Sequence, residues 1–66
     1  MSQTQIREFL YSTYHSLVLN KIQIAKELCV SQATIDRMRK NGEIESIRIG
    51  GSVMFSIDEV ARLVSA

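Results

Sequence analysis

Cysteine is nearly absent from this chain, and Cys29 is its single instance. No intramolecular disulfide can therefore form. With only one histidine, His15, to join it, no zinc site can be assembled either. The sequence shows no secretory leader and no apolar run near the ~20 residues a membrane span requires. Together these absences point to a reducing cytoplasm. Charge of one sign is also in short supply: eight Lys and Arg stand against seven Asp and Glu, a formal net charge of +1. Nothing resembles a nucleophile–base arrangement or a carboxylate pair over a pocket. A chain of 66 residues is also too short to enclose a substrate. The expectation is a protein that is not an enzyme and needs no cofactor.

What remains is one small domain. Apolar residues make up 45% and charged residues 23% of the chain, an ordinary globular balance. A domain this size buries only about 60% of its unfolded surface. Its stability is expected to be roughly 3–10 kcal/mol, from about 0.05–0.15 kcal/mol per residue.

Residues 20–40 organise the rest. Asn20 is a good helix N-cap, and Gln23 follows at the spacing of a capping box. Ile24, Ala25 and Leu28 recur at helical period and point inward. Ser31 caps a second helix, in which Ile35 and Met38 share one face and Gln32, Asp36, Arg37 and Lys40 the other. Asn41-Gly42 ends it, with glycine free to take the left-handed cap. Cys29 stands between the helices where glycine would be comfortable, at a cost on the order of 1 kcal/mol if the backbone there is left-handed. Its thiol is expected to be a small, half-buried apolar group rather than a redox sensor, since no second cysteine can resolve it.

Upstream, residues 1–5 are polar and expected to fray at their start. Apolar residues then recur helically over 6–18, through Ile6, Phe9 or Leu10, Thr13 or Tyr14, and Leu17. Leu17-Val18-Leu19 either ends that helix or forms a short strand. Phe9, Leu10, Tyr14 and Leu17 have two readings: they enlarge the core, or they form a dimer interface. His15 needs no function. Residues 1–19 thus form an amphipathic helix that packs on or extends a domain of residues 20–66. Downstream the period becomes two. Ile47, Ile49, Val53 and Phe55 alternate with Arg48, Met54 and Ser56 around Gly50-Gly51-Ser52, which signals a hairpin. Ser56 and Glu59 form another capping box, opening a helix with Ile57, Val60, Leu63 and Val64 on one stripe and Arg62 in solvent. The expected class is mainly α with a small β-hairpin.

Residues 20–64 resemble the small winged helix-turn-helix domain of phage excisionases, AlpA-like regulators and the MerR family. Ile24-Ala25, Leu28, Val30-Ser31 and Thr34-Ile35 carry the resemblance, followed by Gly42-Glu43-Ile44, Ile47-Arg48-Ile49-Gly50 and Phe55 leading into Asp58. In that family the second helix enters the DNA major groove, and the hairpin, or wing, lies along the backbone or minor groove. Three departures stand out: Cys29 replaces glycine, Glu45 stands where proline is frequent, and the wing tip of Gly50, Gly51 and Ser52 lacks basic residues. The N-terminal helix is an addition to the family plan.

The resemblance implies sequence-specific binding of double-stranded DNA by a phage- or plasmid-type regulator or an excisionase-like accessory factor. Gln32, Ala33, Asp36 and Arg37 occupy the half of the second helix that reaches base edges in such motifs. Asp36 can accept from a cytosine amine or simply hold Arg37 or Lys40 in place, and holding is the expectation. Lys21, Ser31, Thr34, Arg39, Lys40 and Arg48 suit phosphates, which fix register without reading sequence. Arg37, Arg39 and Lys40 fall within one helical turn, so a modest basic face forms despite the near-zero net charge. Few base contacts fit on one such module, so a second copy, a cooperative array or an integrase-type protein is expected to assist. The alternative is a protein-docking module that uses the same scaffold and the aromatic N-terminal helix.

Overall fold

Ser2 opens the first helix. Its hydroxyl accepts from the backbone N–H of Gln5 at 3.2 Å, while the Gln5 side chain accepts from the Ser2 N–H at 2.9 Å, a complete capping box. The computed structural model describes residues 2–65. Its first helix, α1, spans Gln3–Tyr14. The expected fraying therefore does not extend to residues 2–5, and Met1 lies outside the described residues. At the other end α1 stops short of Val18. His15 takes the left-handed conformation (φ 53°) and its N–H closes on the Tyr11 carbonyl at 2.7 Å. Ser16 then bonds the backbone of Val18 at both N–H and carbonyl. This straightens the chain into β1, Val18–Asn20, and resolves the ambiguous apolar run as a strand.

Helix α2, Lys21–Leu28, starts at the expected cap: Asn20 and Gln23 exchange hydrogen bonds at 2.8 and 2.9 Å. Cys29 is left-handed at φ 57°, and the Cys29 and Val30 N–H groups bond the carbonyls of Lys26 and Ala25. That is a Schellman ending made with cysteine where glycine is usual. The Cys29 side chain is exposed rather than half-buried, because a left-handed residue at a helix end turns its Cβ outward. Helix α3, Gln32–Lys40, is capped by Ser31 and closes in the same way around Gly42 at φ 75°. There Gly42 and Glu43 N–H groups bond the Arg39 and Met38 carbonyls.

Strands β2 (Ile47–Ile49) and β3 (Ser52–Ser56) are joined by Gly50 and Gly51 alone, at φ 56° and 85°. Both signs suit a type I′ turn. The antiparallel sheet runs β1-β3-β2. Leu19 faces Phe55 on the helix-covered side, and Arg48 faces Val53 on the same side of the sheet but stays exposed at its edge. Ile47 and Ile49 do not join them as expected. The two-residue turn pairs Ile49 with Ser52 and Ile47 with Met54, which puts both isoleucines on the outer face, 49% and 44% exposed. Helix α4, Ile57–Ser65, follows directly, with Ser56 accepting from the Glu59 N–H at 3.1 Å. The return half of that capping box does not form. The Glu59 carboxylate accepts from the Glu45 N–H at 2.7 Å and from Arg62 instead.

The core is built from every element but β2. Leu19, Ile24, Ile35, Phe55, Ile57, Val60 and Ala61 are fully enclosed, with Ile6, Leu10, Ala25 and Ile44 at its margins. Helix α1 packs on α4, and an Arg7–Asp58 ion pair at 2.5 Å ties the two. Ile6, Leu10 and Tyr14 lie at successive steps of four on α1 and face inward. Phe9 falls off that stripe and Leu17 lies beyond the helix, so both are 58% exposed, contrary to the core reading for them. On α4 the inward position belongs to Ala61 rather than to the exposed Val64. The expected boundary after residue 19 falls inside β1, whose Leu19 is at the centre of the core. Among the described residues no helix is long and apolar enough to cross a membrane.

Candidate functional site

Helix α3 has one inward anchor. Ile35 is fully buried and Met38 packs against the same core, while Gln32, Ala33, Asp36, Arg37 and Lys40 are exposed. Two shallow depressions flank this exposed face. One is lined by Ala33, Asp36, Arg37, Arg39, Lys40 and Ser46. The other is lined by Asn20, Lys21, Ile22, Gln32, Ser52 and Val53. The second brings the hairpin beside the N-terminal ends of α2 and α3. A Lys21–Asp36 ion pair at 2.9 Å joins the two.

Asp36 sits between two cations on this surface. Its Oδ1 accepts from Lys21 Nζ and, at 3.3 Å, from Arg39 Nη1. The hydrogen bond from Lys21, aided by Arg39, holds the carboxyl below its ordinary value, so it is ionised at neutral pH. Asp36 thus does hold cations, but Lys21 and Arg39 rather than Arg37 or Lys40. Arg39 lies three positions on along the same helix face and Lys21 reaches across from α2, whereas Arg37 turns away by about 100°. Arg37 Nη2 donates to Thr34 Oγ1 at 3.1 Å, and Thr34 in turn meets the Ser31 hydroxyl at 3.0 Å. Arg39 Nε also reaches Ser46 Oγ, at 3.4 Å.

The expected site residues therefore separate into three groups. Gln32, Ala33, Arg37 and Lys40 are exposed on one helix face, Arg37 with a bond to Thr34. Lys21, Ser31, Thr34 and Arg39 are close by but already bonded within the protein. Arg48 is exposed on β2 and lines neither depression, and Gly50 and Gly51 form the hairpin tip beside Ser52. Among the described residues Arg37, Lys40 and Arg48 take part in no ion pair.

No protein-family model and no solved structure matches the chain. The uncharacterized protein PM1772 of Pasteurella multocida is 37% identical over 67 residues, spanning 100% of this chain and 95% of that one. The chain belongs to this family. The likeness takes in α1 as well as the paired helices and the hairpin, so the N-terminal helix is part of the family's shared length.

Two surface residues escaped the sequence reading. Ser46 sits in a loop with no periodicity to mark it, and Ile22, at the start of α2 and outside the stripe of Ile24, Ala25 and Leu28, is 64% exposed. A second surface lies on the far side of α1. There Ile6, Phe9, Leu10, Glu27, Val60 and Val64 line an apolar groove between α1 and α4. At its end the Tyr14 hydroxyl donates to the Glu27 carboxylate. That bond, with some burial, pushes Tyr14 up to about 12.

Proposed function

We propose that this protein is a winged helix-turn-helix DNA-binding factor: α3 enters the major groove of double-stranded DNA and the β2–β3 hairpin acts as a weakly charged wing. The observation that carries this is α3 itself. It is capped at both ends and buries only Ile35, leaving Gln32, Ala33, Arg37 and Lys40 open, with Gln32 beside Ser52 of the hairpin. A helix held so lightly by the core and so firmly by its ends has a free polar face to present. Arg37 can pair with guanine O6 and N7, Gln32 with adenine, and Ala33 can meet a thymine methyl. Lys40 and Arg48, free of internal ion pairs, suit phosphates. Lys21 and Arg39 contribute less, because Asp36 already offsets one of their two charges.

A single module of this kind buries only about 600–1,000 Å². Useful specificity then requires a second copy, a cooperative array on repeated sites, or an integrase-type protein. A regulator or excisionase-like accessory factor of a mobile element fits these limits, and no catalytic role is assigned. The test is titration of the full chain with random duplex at several salt concentrations. Binding whose log affinity falls with log salt, at a slope of about −2 to −4, is expected for a few phosphate contacts. Indifference to duplex at low salt would sink this reading. It would favour the docking module, whose supporting feature is the exposed Phe9 and Val64 along the α1–α4 groove.

A further inference from the structure

We infer that Asp36 reads cytosine: clamped through Oδ1 by Lys21 and Arg39, its carboxylate offers Oδ2 to the N4 amino group of a cytosine in the major groove. The inference rests on the proposed docking of α3. A carboxylate aimed at DNA is ordinarily repelled by the phosphates. Here a lysine and an arginine lie within 2.9 and 3.3 Å of one of its oxygens and neutralise it in place. Both cations bond the same oxygen, and no described residue donates to the other. The side chain is still 49% exposed, in the depression it shares with Ala33, Arg37 and Lys40. The result is an acceptor whose direction is set before any ligand arrives.

The chemistry of the groove selects the base. An ionised carboxylate only accepts, and the major groove offers two donors, cytosine N4 and adenine N6. Adenine's amino group lies between two acceptors, its own N7 and the thymine O4, which repel an anion. Cytosine's has an acceptor, guanine O6, on one side only. Asp36 therefore favours a C·G pair and disfavours guanine or thymine facing it, where acceptor would meet acceptor. The clamp also changes the roles of Lys21 and Arg39, which orient the reader rather than grip the backbone.

The experiment is selection from a randomised duplex library with the full chain and with Asp36→Asn and Asp36→Ala, followed by titration of the selected sites. The wild-type chain is expected to select cytosine at one position, by about fivefold or more over the other bases. With Asp36→Asn that position should shift to adenine, which an amide can pair through N6 and N7. With Asp36→Ala it should become indifferent, while the neighbouring positions stay as they were. Both variants remove a negative charge and should bind random duplex more tightly. If that rise is the only change and the selected bases are the same in all three proteins, the inference is overturned and DNA binding stands. Salt-sensitive binding with no selected sequence overturns it too. A wild-type chain that binds no duplex at low salt overturns the proposed function and this inference together.

Discussion

Helices α3 and α4 are both nine residues long, yet their surfaces are divided differently. Helix α4 buries Ile57, Val60 and Ala61 and closes the core, whereas α3 buries Ile35 alone. Helix α3 makes up the difference at its ends, with the Ser31 cap before it and the Gly42 Schellman turn after it. Short helices in water are marginal, so each must draw stability from packing or from its termini. A helix that relies on packing has little surface left over. One that relies on caps keeps most of its circumference free, and on α3 that circumference is where Arg37 and Lys40 stand.

The contrast breaks first at the core. Ile57→Ala, at a fully enclosed site, should cost about 2–5 kcal/mol, a large part of the total for a domain this size. Thermal unfolding followed by circular dichroism should show a large drop in Tm or no cooperative transition. An unchanged Tm would mean that α4 is not the closing element. By contrast, Arg37→Ala should move stability by no more than about 0.5 kcal/mol.

Glu59 comes next, since it joins α4 to the loop after α3 through the Glu45 N–H while Arg62, on its own helix, holds its other oxygen. Glu59→Gln should cost about 1–3 kcal/mol at neutral pH, as expected for a hydrogen-bonded charge that is mostly shielded. The hydrogen bond from Arg62, joined by that from the Glu45 N–H, holds its pKa below the ordinary 4.5. Its contribution is therefore complete above pH 4.5 and fades as pH falls through the lower folded value. Melts from pH 7 downward should show a shallower acid decline for the variant than for the parent. Parallel curves would remove Glu59 from the account.

On α3 the expected effects are on binding. Arg37→Ala should weaken a selected DNA site by about 1–3 kcal/mol and random duplex much less. Lys40→Ala should weaken both alike and make the salt slope shallower by about one unit. If neither variant changes affinity, α3 is not in the groove. The smallest effect belongs to the turn between α2 and α3. Cys29→Gly should stabilise the fold by about 0.5–1 kcal/mol, because φ is 57° there, with no change in DNA affinity. A loss of stability in urea titrations would show that the cysteine side chain contributes packing despite its exposure.

What could be read in advance follows from the range of the interaction. The Asn20 and Ser31 caps, the left-handed Cys29 and the Gly50-Gly51 turn depend on residues within four positions of one another, and all were visible. The exposed face of α3 was visible too, since helical period alone separates Ile35 from Gln32, Ala33, Asp36 and Arg37. Partners across the chain were not. Nothing in the sequence says that Asp36 takes Lys21 rather than Lys40, because that depends on how α2 crosses α3. Nor does it say that the Glu59 carboxylate leaves its capping box for the Glu45 N–H, which comes within reach only when the loop after α3 lies on α4.

The sequence by itself determined where each helix from α2 onward begins, where α2 and α3 end, and which side of α3 is free, because caps, glycine turns and periodicity are local properties of the backbone. The tertiary structure alone decided that Phe9 and Leu17 stay exposed and that Ile47 and Ile49 face outward. It also decided that Lys21 and Arg39 converge on one oxygen of Asp36. Those outcomes depend on the register of β1, β2 and β3 and on the placement of α1 against α4. Several near-equivalent apolar stripes compete for each, and only their mutual packing selects one.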